Sequence, residues 1–372
     1  MAAFAFSPLS KRRWKNFKAN RRAYYSLLIF VFFTIIASMA EFVANDKPLI
    51  ASYRGDIFFP VFSGVVTEDE FGGDEGLIAQ YNDPAIQCLI ITGGLTECYD
   101  DPEVIINDMD AGLITNPEIL KGWIIWPIIP YSFNTINHDV VPAPGAPDEH
   151  HWLGTDDTTR DVLARVIYGF RISVGFAVVV VFVSSVIGIV AGAIMGYFGG
   201  WIDLIFQRVV EIWANIPSLY IIIIMSAIFS MSFTLLTILV ALFSWTALVG
   251  VVRAEFLRAR NFEYVRAARA LGLSNFKIIF RHVLPNAMVA TVTMLPFLFT
   301  GAIGALTSLD FLGFGLPPSY PSLGELALQA KQNLHAPWLA FTAFFVISAM
   351  LSLLVFIFEG VRDAFDPRKT FS

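Results

Sequence analysis

The chain has 372 residues, of which 56% are hydrophobic and only 15% are charged. Soluble domains carry about a quarter charged residues, so this composition excludes an ordinary soluble protein and indicates an integral membrane protein. The net charge of −6 hides an asymmetry, because residues 44–160 hold 20 acidic and only four basic residues, while the rest of the chain is basic.

Six apolar runs are long enough to cross a bilayer, which takes about 20 residues. They lie at 24–43, 172–196, 205–230, 232–252, 287–309 and 338–359. Basic residues cluster at 11–22 and 253–281, which the positive-inside rule assigns to the cytoplasm, so the acidic segment lies on the other side. The basic residues Arg362, Arg368 and Lys369 predict that the C-terminus is cytoplasmic too.

The predicted organisation has four parts: a cytoplasmic tail (1–23), a first transmembrane helix (24–43), an acidic periplasmic insertion (44–150) and a five-helix core (151–372). A signal peptide is an alternative for the first part, since Ser38-Met39-Ala40 resembles a small-x-small cleavage site. The polar leader of 23 residues is long for a signal peptide, which favours a retained anchor.

The acidic insertion is predicted to be a small folded domain of mixed structure. Its segments QCLIITGG and EVIIND favour β-structure, and VVPAPGAPDEHH (140–151) is typical of a linker. Cys88 and Cys98 both fall in the insertion, and an oxidising compartment favours a disulfide over two buried free thiols. His150 and His151 stand beside acidic residues, but adjacent histidines point in different directions, so no metal site is predicted.

The spans themselves carry few polar signals. Gly188, Gly192 and Gly196 recur at four-residue spacing, which predicts a bare helical stripe for close helix packing. Arg208 and Glu211 predict an ion pair near a membrane end. Beyond the fifth span, SLGELALQAKQNL predicts an amphipathic helix with Ser322 as its N-cap. This helix is either a gate over a translocation path or an ordinary interfacial helix.

Sequence signatures of catalysis are missing from the chain. It contains neither a phosphate-binding P-loop nor a nucleophile elbow, so no ATP, other cofactor or metal is expected to bind it. Nucleic acid is not an expected partner, because the arginines are spread between membrane spans.

The cytoplasmic loop 253–286 reads as a helix, a turn and a second helix. Asn261 is the predicted N-cap of the first helix, and Gly272 stands where a left-handed residue ends it. Ser274 is the predicted cap of the second helix and Pro285 its limit. One face of the first helix is expected to carry Tyr264, Ala267, Ala268 and Leu271. The alanines keep that helix slim, which suits a docking element for another protein.

This loop resembles the EAA loop of permease subunits of ABC importers, through Ala267-Ala268, Gly272 and the later Leu284-Pro285. Two residues depart from that pattern, since Arg266 replaces a glutamate and His282 an isoleucine. Residues 151–174, 307–338 and 359–368 resemble the C-type permeases of dipeptide and oligopeptide importers, with Thr159 in place of a glycine. The insertion is most similar to that of the Yej-type permeases, which belong to microcin C and oligopeptide importers.

The resemblance implies an all-α membrane protein of the type I ABC importer permease fold, in the bacterial inner membrane. Its implied partners are a second permease of the B type, one or two ABC ATPase subunits that bind ATP and Mg, a periplasmic substrate-binding protein, a peptide substrate and membrane lipid. The implied ATPase-coupling residues are Glu263, Arg266, Ala267, Ala268, Arg269, Gly272, Leu284 and Pro285. Two alternatives from other classes are an ion-coupled secondary transporter and a membrane-anchored periplasmic enzyme.

Overall fold

The structure is a computed structural model that describes residues 8–114 and 121–365. Arg368 and Lys369, which were used to predict the side of the C-terminus, lie outside these residues. The chain folds into two compact units, one formed by Met1–Thr34 with Gly169–Ser372 and the other by Ile35–Tyr168.

The described elements are mostly helices, as the composition predicts. In chain order they are α1 (Pro8–Ala19), α2 (Arg21–Ser38), α3 (Ala40–Val43), β1 (Ile50–Tyr53), β2 (Asp56–Phe58), α4 (Pro84–Thr92), α5 (Pro102–Asp110), β3 (Trp123–Ile125), α6 (Val162–Phe198), α7 (Gly200–Ala214), α8 (Ser218–Ile228), α9 (Phe233–Ser244), α10 (Thr246–Ala259), α11 (Glu263–Ala270), α12 (Asn275–Ile278), α13 (Leu284–Phe311), α14 (Leu323–Gln332) and α15 (Pro337–Phe365). Short 3₁₀ turns lie at Glu68–Phe71 and Thr96–Tyr99, and a π-helical turn lies at Ile279–Val283.

Five helices of the described chain are long and apolar enough to cross a membrane, and a bent pair makes a sixth. The five are Arg21–Ser38, Val162–Phe198, Phe233–Ala259, Asn275–Phe311 and Pro337–Phe365. Their outward surfaces carry many exposed apolar side chains, as a lipid-facing helix requires. The predicted number of spans therefore matches the structure when the bent pair counts as one.

The bent pair differs from the straight span predicted at 205–230. Helices α7 and α8 meet at an angle of 62° across Asn215, Ile216 and Pro217. A proline disfavours helical geometry in the residue before it and has no N–H to donate, which explains the break. Arg208 donates to Glu211 (Nη1–Oε2 2.5 Å) on the exposed side of α7, so the predicted pair is present.

The insertion contains more helix than its apolar segments suggested. QCLIITGG lies mostly in α4 and EVIIND in α5, so the expected β-structure is wrong for both. Each helix begins with a proline after an aspartate, and Asp83 Oδ1 accepts from the amide of Ala85 (2.9 Å). A left-handed Gly93 ends α4. These end signals outweigh the β-propensity of the isoleucines between them.

A small antiparallel sheet with strand order β2-β1-β3 completes the insertion. Ala51 lies opposite Phe58 on one side and Ile124 on the other. Cys88 on α4 and Cys98 in the following 3₁₀ turn form a disulfide and are fully buried in the insertion's core. The bond therefore ties the middle of α4 to the segment that leads into α5.

The segment before α6 holds a buried polar cluster. Asp156 accepts from Arg160 (Oδ2–Nε 2.7 Å) and lies 3.4 Å from Arg165 Nε. His151 Nδ1 lies 2.9 Å from Asp161 Oδ2. The amide of His151 also donates to Asp148, which lowers the pKa of that carboxyl. The DEHH sequence is thus part of a structural network. In the described ranges no group of three or more His, Cys, Asp or Glu side chains could hold a metal ion.

Helix α14 begins where the sequence predicts. Ser322 Oγ accepts from the amides of Gly324 (3.1 Å) and Glu325 (3.3 Å), as an N-cap does. The hydroxyl of Ser322 also donates to Asp310 at the end of α13. Most of α14 is buried against α13 and α15. An ordinary interfacial helix would bury only one apolar face, so α14 is more buried than that alternative requires.

Candidate functional site

The loop between α10 and α13 contains a compact helical element. Val265 and Ala268 on α11 are buried, and they pack with Phe256 of α10, Ile278 of α12 and Val283 of the π-helical turn. The two buried residues are three positions apart on an eight-residue helix, which gives α11 one inward stripe and a wide outward surface. The loop is therefore anchored by a hydrophobic core that it shares with the neighbouring long helices.

The two ends of α11 are formed differently. Phe262, and not the predicted Asn261, occupies the N-cap position, and the side-chain Nδ2 of Asn261 instead donates to the carbonyl of Leu257 (3.3 Å). At the other end Gly272 has φ +78° and its N–H bonds the carbonyl of Arg269, while the N–H of Leu273 bonds that of Ala268. This is the Schellman arrangement, so the predicted left-handed stop at Gly272 is confirmed.

The second helix of the loop continues into the membrane, contrary to the sequence prediction. Ser274 stands at the N-cap position, but its side chain makes no capping bond. Pro285 does not end a helix and instead lies in the first turn of α13. A π-helical turn directly precedes it, and its wider spacing accommodates a proline ring that would clash with the carbonyl four residues earlier. Asn275–Phe311 is consequently one long helical segment.

The outward surface of the loop is apolar but lies among charges. Leu271 is 81% exposed, Phe276 71% and Phe280 52%, and the last two rings are 4.4 Å apart. Exposed charged residues alternate with them, namely Glu263, Arg266, Lys277 and Arg281. Such a mixture is too costly to lie in hydrocarbon, which leaves a water-exposed surface suited to contact with a protein.

Tyr197, near the end of α6, connects the loop to the membrane helices. Its side chain is buried, and its hydroxyl donates to Asn275 Oδ1 (2.8 Å). Arg269 Nη2 donates to the same hydroxyl (3.4 Å), with its guanidinium 5.6 Å from the centre of the Tyr197 ring. The Tyr197 hydroxyl therefore contacts both helices of the loop, α11 through Arg269 and α12 through Asn275. We call Tyr197, Arg269 and Asn275 the tyrosine junction.

The three glycines of α6 place that helix directly against α10. A Cβ on Gly192 would lie 2.8 Å from Val249 O and from Val252 Cβ. A Cβ on Gly188 or Gly196 would likewise meet backbone or Cβ atoms of α10 within 3.0 Å. Because α10 leads straight into the loop, this contact joins the membrane core to the exposed surface.

Two arginines strengthen the same contact. Arg253 on α10 donates twice to Asp203 on α7, at 2.6 and 2.7 Å. Arg260 donates to the carbonyls of Gly196 (3.3 Å) and Tyr197 (3.5 Å), at the end of α6 where a positive charge is favoured. The loop, α6, α7 and α10 thus form one connected assembly.

The comparisons with known proteins agree with this arrangement. Residues 188–371 match the family model described as the inner membrane component of binding-protein-dependent transport systems. The peptidoglycan transport system permease protein YejE of Agrobacterium fabrum is 50% identical over 98% of this chain and 95% of its own length. The chain belongs to this family of ABC transporter permeases.

Two further relatives extend the same result. The inner membrane ABC transporter permease protein YejE of Escherichia coli is 46% identical over 98% of both chains. The dipeptide transport system permease protein DppC of Bacillus subtilis is 33% identical over 60% of this chain and 70% of its own length. The permease is therefore a transport subunit with the type I importer fold, and it is not an enzyme.

The structure distributes the predicted coupling residues over both sides of the loop. Glu263, Arg266 and Ala267 lie on the exposed side of α11, whereas Ala268 is buried beneath them. Arg269 is exposed as well, but its guanidinium contacts Tyr197. Sequence reasoning missed Tyr197, Asp203 and Arg260, whose partners are 50 to 78 residues away in the chain.

Proposed function

We propose that this permease moves peptides or peptide-like compounds inward across the bacterial inner membrane, driven by ATP hydrolysis in a separate ATPase that docks on the loop 253–286. The exposed apolar surface of the loop, on a helix ended by a left-handed Gly272, is the observation that carries the coupling part of the proposal. Peptide transport is supported by the Bacillus subtilis relative, which is named a dipeptide transport system permease protein.

In this proposal the N-terminus, the loop and the C-terminus lie in the cytoplasm, and the acidic insertion lies in the periplasm. The clusters of basic residues at 11–22 and 253–281 support that orientation. A second permease completes the pathway, and a substrate-binding protein delivers the peptide. ATP and Mg bind the ATPase, because this chain has no phosphate-binding loop.

The loop acts as a lever between the ATPase and the membrane helices. Closure of the ATPase moves the loop, and the tyrosine junction and the glycine contact of α6 with α10 pass the movement into the core. The glycine contact is tightly packed and the Tyr197 side chain is buried, so the two contacts transmit displacement rather than absorb it. The bilayer-crossing helices then change between two packed arrangements that open the pathway on opposite sides.

A reconstituted system tests the proposal. The permease, its partner permease, ATPase and binding protein are placed in proteoliposomes, and uptake of a labelled tripeptide is measured with and without ATP. Uptake is expected only with ATP. Uptake that follows a proton gradient without ATP contradicts the proposal.

Docking on the loop is tested with Leu271→Asp. A charge at this exposed apolar position is expected to weaken ATPase binding at least tenfold, because a carboxylate must lose water at the interface. Leu334→Asp is the matched control, since Leu334 is 85% exposed but lies outside the loop. Equal ATPase affinity in the two variants would rule out the loop as the docking surface.

The name of the Agrobacterium relative, a peptidoglycan transport system permease protein, points to a second substrate class, fragments of peptidoglycan. Competition of the labelled tripeptide with an oligopeptide, with a microcin C-type peptide conjugate and with a muropeptide separates the classes. The preferred substrate is the one that reduces uptake at the lowest concentration.

A further inference from the structure

Helix α1 is strongly basic and packs on the end of α15. It carries five basic residues, Lys11, Arg12, Arg13, Lys15 and Lys18, and no acidic residue. Its anchor is Phe17, which is buried beside Gly360, where a Cβ would lie 3.1 Å from the phenylalanine ring. The guanidinium of Arg13 lies 4.2 Å above the ring of Phe365. The helix is therefore held against the bundle by Phe17 and Arg13, while its lysines and Arg12 are exposed.

Beside this contact lies a cavity of about 570 Å³. Its wall is almost entirely apolar and includes Trp14, Leu27, Ile357 and Val361, while Lys11 and Arg13 also line it. Trp14 is half exposed, although a tryptophan beside an apolar cavity would gain from burial. The cavity thus combines a long hydrocarbon surface with two positive charges.

That combination fits one kind of ligand. A free anion would leave the apolar wall in contact with water, and a neutral lipid would leave Lys11 and Arg13 without a negative partner. An anionic phospholipid satisfies both parts, since its phosphate pairs with cations and its acyl chain covers apolar side chains. We propose that this cavity binds an anionic phospholipid, with the phosphate at Lys11 and Arg13 and an acyl chain along Trp14, Leu27 and Ile357.

The lipid site rests on the proposed cytoplasmic position of the N-terminus, where anionic headgroups concentrate. Its role is to fix α1 and the start of α2 on α15 at the membrane surface, because Phe17, Ala23 and Ala364 form a shared small core there. The lipid adds a cohesive contact to this small core of three buried side chains. Lipid binding is measured without transport, so its failure and the failure of the proposed transport function are distinguishable.

Native mass spectrometry of the full-length permease in detergent provides the test. Dioleoylphosphatidylglycerol is added in competition with dioleoylphosphatidylcholine, and the retained lipids are counted. The wild type is expected to retain the anionic lipid at least fivefold more than the neutral one. Lys11→Gln with Arg13→Gln is expected to reduce that preference below twofold.

The matched control is Lys15→Gln with Arg22→Gln, which removes the same charge from exposed positions that do not line the cavity. It is expected to keep the preference. Equal loss in both double variants would mean that the preference reflects net charge alone and would overturn the site. Equal retention of the two lipids by the wild type would overturn it too.

The apolar half of the site has its own test. Val361→Trp fills the cavity without changing charge, and it is expected to reduce retention of the anionic lipid at least fivefold. In vesicles, a brominated phosphatidylglycerol is expected to quench Trp14, measured as the difference from Trp14→Phe. Unchanged binding in Val361→Trp, displacement of the lipid by millimolar inorganic phosphate alone, or displacement by the partner permease would each overturn the proposal.

Discussion

Tyr197→Phe is expected to uncouple ATP hydrolysis from transport. The substitution keeps the buried ring but removes the hydroxyl that holds Asn275 (2.8 Å) and Arg269 (3.4 Å). The hydrogen bond from Tyr197 to Asn275 contributes about 1 kcal/mol to the stability of the junction, and the longer bond from the Arg269 guanidinium adds about 0.5 kcal/mol. A total of about 1.5 kcal/mol corresponds to a tenfold change in the equilibrium between two loop positions.

The assay measures peptide uptake and ATP hydrolysis in the same proteoliposomes. With the tyrosine junction broken, we expect the ATPase to dock and hydrolyse ATP while the number of peptides moved per ATP falls severalfold. ATPase binding is expected to remain near the wild-type value, because the outward side chains of the loop are untouched. This pattern separates loss of transmission from loss of docking.

Tyr168→Phe is the matched control. Tyr168 is buried to the same extent, and its hydroxyl donates to the carbonyl of Ala44 (2.9 Å), which lies with it in the unit Ile35–Tyr168 and outside the tyrosine junction. It is expected to lower the thermal midpoint without changing the coupling ratio. An unchanged ratio in Tyr197→Phe, or an equal fall in both variants, would refute the idea that the tyrosine junction transmits the movement.

Three further substitutions test the fold. Gly192→Val should reduce the yield of folded permease, because its Cβ would overlap Val249 O and Val252 Cβ. The control Gly250→Val should be tolerated, because a Cβ at Gly250 meets nothing within 4 Å. Equal yields of the two variants would contradict the close packing of α6 on α10. Cys98→Ser should destabilise the insertion by about 3 kcal/mol, seen as faster proteolysis, whereas wild-type rates would argue against the disulfide. Ser322→Ala should cost about 2 kcal/mol, because two amides of α14 lose their acceptor; an unchanged thermal midpoint would refute this.

The membrane part of the fold follows closely from the sequence, because a bilayer imposes one simple requirement on length and hydropathy. Each predicted apolar run corresponds to a helix or to the bent pair. The bend escaped prediction because Pro217 was counted within an apolar run, although its position after Asn215 and Ile216 breaks the helix. Hydropathy indicates which segments can lie in the bilayer, but it carries no information on whether the helix in such a segment is straight or bent.

The insertion was harder to predict, because β-branched residues and helix-end signals disagree there. The isoleucines of α4 and α5 favour strands, while Pro84 and Pro102 favour helix starts. Both segments are helical, so the helix-start signals outweigh the β-propensity of the isoleucines.

The coupling loop divides into a local and a long-range part, and only the first can be predicted from a single sequence. Helix α11 ends through two local bonds, from the N–H of Gly272 to Arg269 three positions earlier and from the N–H of Leu273 to Ala268 five positions earlier, so neighbours in the chain already determine the conformation of Gly272. Tyr197 meets Asn275 across 78 residues, and nothing around YFGG marks that tyrosine as a partner of the loop. The glycine stripe held the missing clue. Gly196 brings the end of α6 against α10 at the point where α10 enters the loop, so the residue after it is placed beside the loop's two helices. A close-packing stripe that ends next to an exposed loop therefore predicts where a transmitting contact lies, although it leaves open which side chain makes it.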